Sequence, residues 1–193
     1  MLRILVAGLV GGIAMFIWSA IAHIALPLGR VGLSDLPNQA PIIAALQAGP
    51  GTKSGLYIFP SMVAADGSAI SMGGYDKLLK TSPQGLIVYQ PPGGSALNPR
   101  QLLCEFLLEL VEATIAAFML RYAAIRGFPS RLGYITLIGV AAVITTNGSY
   151  WNWYGFPLAY TLAYAFTQLM GYVVAGAMIS VVYGWWRRQP GDA

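Results

Sequence analysis

Long runs of apolar residues occupy the start and the second half of the chain. They cover residues 4–26, 99–121, 132–147 and 157–186, and only the second run contains acidic side chains. A helix needs about 20 predominantly apolar residues to cross the hydrocarbon core of a bilayer. The third run is short, but it can extend into its flanks. The pattern therefore predicts an all-α membrane protein built as a bundle of four transmembrane helices.

The segment from residue 27 to 98 follows a different pattern, because it holds most of the prolines and no apolar run long enough to span. Residues 41–47 form a short helix candidate, with Asn38 as its cap. Residues 56–59 and 86–89 are typical of short strands bounded by glycine and proline. The many apolar residues of the segment argue against disorder. We expect a small ordered extracytoplasmic cap of short helix and strand segments, packed on the helices.

The composition supports a membrane protein and excludes several other classes. Hydrophobic residues make up 56% of the 193 residues and charged residues only 9%, whereas a soluble domain has about 25% charged residues. The basic residues are scattered or lie at the ends of apolar runs, so the net charge of +4 does not indicate a nucleic-acid partner. The single cysteine, Cys104, permits no intrachain disulfide. The length suits a single membrane domain over residues 1–193.

Arginines predict the orientation of the spans. With four spans, the arginines at the ends of the apolar runs fall mostly on one side: Arg3, Arg121, Arg126, Arg131, Arg187 and Arg188. The positive-inside rule places that side, and both termini, in the cytoplasm. Residues 27–98 and a turn at 147–157 then face outward. Aromatic residues crowd that turn, as at a membrane interface, and they include Trp151, Trp153 and Tyr154.

Three glutamates lie within the second predicted span. Glu105, Glu109 and Glu112 are spaced by four and then three residues, which places them on one face of a helix. A charge in the middle of the bilayer costs at least about 2.5–3.5 kcal/mol. These side chains must therefore face the interior of the bundle, be protonated, or hold a cation.

Other polar residues are expected at the same depths. His23 lies near the outer end of the first span, level with Glu105, and Gln168 on the fourth span is about as deep as Glu112. The end of the third span adds further polar groups at the level of His23, namely Thr145, Thr146 and Asn147. Together these residues predict a polar track from the outer surface to the centre of the membrane.

Three hypotheses for function remain open at this point. The first is a non-enzymatic accessory or assembly subunit of a larger membrane complex, whose partners are the lipid bilayer and other membrane subunits or further copies of the chain. The second is a proton or small-cation conduit along the glutamate face. Carboxylates and water suit Mg²⁺, Ca²⁺ or Mn²⁺ in such a conduit. The third is a metal site for redox or hydrolytic chemistry, formed by His23, Glu105 and Glu109. No catalytic motif is present and no cofactor is indicated.

Several segments resemble an uncharacterised family of small bacterial membrane proteins. They are WSAIAHIALPLG at 18–29, LPNQ at 36–39, GLYIFP at 55–60, GGSALNPRQ at 93–101 and YWNWYGFP at 150–157. The resemblance implies a location in the bacterial inner membrane. It brings no activity, cofactor or site to this chain.

Overall fold

Helices make up most of the chain in this computed structural model, which describes residues 1–50 and 53–186. In chain order the elements are α1 (Leu2–Ala20), α2 (Gln39–Ala48), β1 (Gly55–Phe59), α3 (Met72–Thr81), β2 (Gly85–Tyr89), α4 (Pro99–Tyr122), α5 (Phe128–Val143), α6 (Ser149–Tyr154) and α7 (Leu158–Trp186). Wider helical turns extend α1 through Ile21–Ala25 and join α5 to α6 through Ile144–Gly148.

Backbone contacts group these elements into two compact units. One unit comprises Met1–Leu33 and the chain from Leu97 onward, and the other comprises Ser34–Ala96. The single membrane domain expected over residues 1–193 stays a prediction. Arg187 and Arg188, which entered the orientation argument, lie outside the described residues.

Three helices of the first unit are long and apolar enough to cross a membrane. They are Leu2–Ala25, Phe128–Tyr154 and Leu158–Trp186. The sequence predicted four spans, and by length and composition the described residues supply three. The exception is α4, whose 24 residues include three glutamates as well as Arg100 and Arg121. These charged residues are too frequent for α4 to count as an apolar membrane-spanning helix by composition.

The start of α4 follows directly from its sequence. Pro99 occupies the first helical turn, where its missing N–H costs nothing. The side chain of Asn98 caps the helix by accepting a hydrogen bond of 3.0 Å from the backbone N–H of Arg100. The boundary expected at residue 99 is therefore confirmed.

The turn expected at residues 147–157 is wrong. The helix that begins with α5 continues to Tyr154 and ends at Gly155. Gly155 has a positive φ of 68°, a left-handed backbone conformation that favours glycine over other residue types. The interfacial aromatics therefore project from a helix instead of a loop. Trp151, Trp153 and Tyr154 are all exposed there, Trp153 by 78%.

Helix α1 is the centre of the first unit. It packs along both α4 and α7, while α5 packs on α7 and α4 has few contacts with α5 or α7. Glycines bring α1 close to α4. A Cβ atom on Gly8 would lie 2.7 Å from the Cα atom of Thr114, and one on Gly12 would lie 2.7 Å from the Cα atom of Leu110. The backbones of α1 and α4 therefore touch along a small-residue seam.

The second unit contains the predicted strands. β1 pairs with β2 in antiparallel register, with Leu56 opposite Val88, and Tyr57 packs edge-to-face on Tyr89 at 6.3 Å between ring centres. These strands and the helix expected at 41–47 are confirmed by β1, β2 and α2. The expected packing of this segment on the transmembrane helices stays a prediction.

Two local details of the second unit differ from expectation. Asn38 precedes α2, but its side chain makes no capping hydrogen bond and its φ is 50°. Helix α3 was not predicted, because Gly73 and Gly74 in its first turn have low helix propensity. The side chain of Ser71 starts this helix by accepting a hydrogen bond of 3.2 Å from the backbone N–H of Gly74.

Substitution of Gly12 by alanine tests the close approach of α1 and α4. The added methyl group must push the two backbones apart, and we expect a loss of about 1–3 kcal/mol of stability from overpacking. Thermal unfolding in detergent, followed by circular dichroism, measures this loss. Gly133→Ala is the matched control, because nothing lies within 4 Å of a Cβ atom at that position. Equal stability of the two variants would contradict the seam.

Candidate functional site

A cavity of about 620 Å³ lies between α1, α4 and α7. It follows from the packing order: α4 and α7 both lie against α1 but have few contacts with each other. The cavity extends along α1 from Met15 to Ile24 and along α7 from Tyr164 to Gly171. Its polar lining residues are Ser19, His23, Glu105, Glu109, Glu112, Tyr164, Thr167 and Gln168.

All three glutamates of α4 line this cavity, as their spacing on one helical face indicated. They differ in exposure: Glu105 is exposed, Glu112 is half-buried, and Glu109 retains only 6% of its accessible surface. The Oε2 atom of Glu109 is buried and has no hydrogen-bond partner. Ser19 lies within hydrogen-bonding reach of the same carboxyl group, and Tyr172 reaches Glu112 in the same way. Glu109 is therefore the most deeply buried of the three, and one of its two carboxyl oxygens has no partner.

The remaining predicted polar residues divide into two groups. His23 and Gln168 line the cavity, and the His23 Nδ1 atom lies 2.9 Å from the carbonyl oxygen of Ser19. Thr145 does not join them. Its side chain is exposed, and its hydroxyl donates a hydrogen bond of 2.8 Å to the carbonyl of Ala141 on its own helix.

Asn147 supports the cavity from behind Gln168. Its side chain is 5% exposed, and its Nδ2 atom donates to Gln168 Oε1 at 2.9 Å and to the carbonyl oxygen of Val143 at 3.2 Å. Because Gln168 Oε1 is occupied by Asn147, the amide nitrogen of Gln168 remains as a donor. This pair links the helix that contains α5 to α7 beside the carboxylates.

The hydrogen bond between Trp18 and Thr167 in the cavity wall was not anticipated from the sequence. The indole Nε1 of Trp18 donates a hydrogen bond of 2.8 Å to the carbonyl oxygen of Thr167, and the hydroxyl of Thr167 bonds to the carbonyl of Ala163. A tryptophan within an apolar run needs a partner for its N–H group, and that need was the available signal. The bond fixes α1 against α7 at the cavity wall.

Tight packing closes the cavity at the end beyond Glu112. Ala113, Ala116 and Ala117 of α4 are almost completely buried. The hydroxyl of Tyr183 on α7 donates a hydrogen bond of 3.0 Å to the carbonyl of Ala117, which joins α7 to α4. The cavity is thus blocked at this end by apolar contacts, while His23 lies near its opposite end.

The charge of the cavity lining is one-sided. Three carboxyl groups face it, and no lysine or arginine lines it among the described residues. Within residues 1–50 and 53–186, no group of three histidine, cysteine or acidic side chains is arranged to hold a metal ion. The metal centre considered for His23, Glu105 and Glu109 stays a prediction.

No protein-family model, curated protein or solved structure matches this chain. The resemblance seen in the sequence gains no further support.

Proposed function

We propose that this protein is an integral membrane protein that binds protons or a small cation in the cavity between α1, α4 and α7. The buried Oε2 atom of Glu109, which lacks a hydrogen-bond partner, carries this proposal. Removing a carboxylate from water without compensation costs several kcal/mol. Glu105 and Glu112 beside it add negative charge, so a proton or a cation is the available compensation.

The shape of the cavity favours binding and release from one side. It reaches Glu112 in the middle of α4, but the packing around Ala117 and Tyr183 blocks its inner end. A conduit requires a water-filled cavity that reaches Glu112, whereas an accessory subunit requires either a dry glutamate face paired with protein or an apolar flank buried by a partner. The cavity and the unpartnered oxygen of Glu109 match the first description better, so cation binding takes precedence here over the accessory role.

The proposal includes α4 as a fourth span, despite its charge. Its buried face packs on α1 along the small-residue seam at Gly8 and Gly12, and its glutamates face the cavity. Helix α4 then shares the membrane environment of α1. With four spans, Arg3, Arg121 and Arg131 lie at one end of the helices, and the positive-inside rule places that end and both termini in the cytoplasm. The resemblance noted above supports a bacterial inner membrane.

Thiol labelling tests the fourth span. In a Cys104→Ala background, we expect a membrane-impermeant maleimide to label Asp76→Cys in intact cells. Ala123→Cys, just after α4, should react only after the membrane is permeabilised, because α4 returns the chain to the cytoplasm. If α4 did not span, both positions would lie on the same side, and labelling of both in intact cells would exclude the fourth span.

Carbodiimide labelling tests cation binding at Glu109. A hydrophobic carbodiimide reacts with protonated carboxyl groups that water does not reach, and mass spectrometry of the purified protein locates the modified residue. We expect modification at Glu109, loss of that adduct in Glu109→Gln, and protection of the wild-type protein by Na⁺ or Ca²⁺ if a cation replaces the proton. Absence of protection with retained modification would restrict the site to protons.

Glu105→Gln is the matched control for this experiment. Glu105 lies on the same helical face but is exposed, so its replacement should leave the Glu109 adduct in place. If Glu109 did not react in the folded protein without added Na⁺ or Ca²⁺, with or without the control substitution, a protonated Glu109 carboxyl group in the cavity would be refuted.

The exposure of Glu105 favours the accessory or assembly subunit as a second candidate. A carboxylate in a span is not stable against lipid, and a helix of another subunit, or of a second copy, would cover it. A photo-crosslinking amino acid in place of Leu102 beside the cavity should then give a discrete protein adduct in the native membrane. Leu137 on α5 is the control, since its side chain is 68% exposed on another helix. Adducts to lipid alone from both positions would exclude a partner subunit beside this cavity.

A further inference from the structure

A second cavity, of about 320 Å³, lies at the opposite end of the helices from His23. Four arginines from four different parts of the first unit line it. They come from the start of α1, the last turn of α4, the connection to α5 and the first turn of α5, and are Arg3, Arg121, Arg126 and Arg131. Short chain segments join Arg121, Arg126 and Arg131, and the packing of α1 brings Arg3 to the same space.

Arg131 is fixed within the wall of this cavity. Its side chain is 5% exposed; its Nε atom donates to the carbonyl of Ile125 and its Nη1 atom to the carbonyl of Ser180, both at 3.3 Å. The guanidinium also lies 5.6 Å from the ring centre of Tyr183. A positive charge held in this way is already oriented before any ligand arrives.

The flanking arginines complete a cationic rim with an aromatic edge. Arg3 lies 5.8 Å from the ring centre of Trp186, which also lines the cavity. Arg121 and Arg126 are exposed at the rim. A tryptophan at the end of a membrane helix is typical of the headgroup region, so the cavity is at the level of lipid phosphates if α7 spans the membrane.

The described residues that line this cavity have the opposite charge to those that line the glutamate cavity. Within the described part of the chain, no acidic side chain lines it. The nearest carboxylate along α4 is Glu112, nine residues before Arg121, which is roughly 13 Å at the rise of an α-helix. Guanidinium groups match phosphate oxygens in geometry and form charge-assisted hydrogen bonds with them.

We propose that this arginine cavity binds a phosphate group, presented either by the headgroup of an anionic phospholipid or by free phosphate. Basic pockets between membrane helices recognise anionic headgroups by the same chemistry. The volume admits a phosphate and a small polar group attached to it. This proposal is independent of cation binding at the glutamates, because it involves other residues at the other end of the helices.

The full-length protein in a neutral detergent allows a direct test. Native mass spectrometry measures binding of dioctanoyl phosphatidylglycerol, with dioctanoyl phosphatidylcholine as the zwitterionic comparison and inorganic phosphate as the competitor. We expect saturable binding of phosphatidylglycerol, and a loss of affinity of about tenfold or more in the double variant Arg121→Gln/Arg126→Gln. Both side chains are exposed, so the variant retains the packing of Arg131.

The double variant Arg30→Gln/Arg100→Gln is the matched control, because it removes two exposed arginines near the other end of the helices. It should bind phosphatidylglycerol as the wild-type protein does. Displacement by inorganic phosphate at similar concentrations would identify free phosphate as the ligand, and resistance to displacement would identify the lipid. Equal binding of phosphatidylcholine, equal losses in both double variants, or no binding to the wild-type protein would overturn the proposal.

A second measurement keeps the test valid if the glutamine variant does not fold. Arg126→Lys retains the charge but not the planar fork of the guanidinium, so it should weaken phosphate-dependent binding while keeping the binding sensitive to salt. Binding to the wild-type protein that is unaffected by salt would also contradict a site formed by arginines.

Discussion

The contact of α1 with both α4 and α7 is the constraint on which the other features depend. Glycines on α1 let the backbone of α4 approach to contact distance, and close approach of this kind stabilises helices in a membrane through dispersion instead of the hydrophobic effect. The glutamates of α4 could not be stable on an isolated helix in lipid. Packing on α1 gives them a protein and cavity environment, and it also fixes which face of α4 is covered.

The same arrangement separates two opposite charge environments along the helices. Where α4 and α7 diverge, the cavity holds three carboxyl groups and the amide of Gln168. Where Tyr183 joins α7 to α4, the space closes, and beyond it Arg131 and its neighbours surround a cationic cavity. The proposed cation site and the proposed phosphate site are therefore separated by a tightly packed apolar layer.

Much of this could be read from the sequence, and the failures have clear physical causes. The spacing of Glu105, Glu109 and Glu112 places them on one face of any helix. In the structure, all three side chains line one cavity. Thr145 was expected to join them at the same depth, but sequence gives depth along a span and not rotation about it, and its hydroxyl bonds to its own helix. The turn expected after residue 147 and the missed helix α3 both came from local glycine and aromatic residues. In the structure, helices continue through these residues despite their low helix propensity.

The sequence by itself determined the long apolar helices, the helical face that bears the glutamates and the paired strands of the second unit, because these depend on periodicity and local propensity. Only the tertiary structure decided that Glu109 is the glutamate with a buried carboxyl oxygen that lacks a hydrogen-bond partner. It also decided that Asn147 supports Gln168 and that arginines distant in sequence surround one space. These features arise from which helices touch and which diverge, and that choice depends on contacts between residues far apart in the chain.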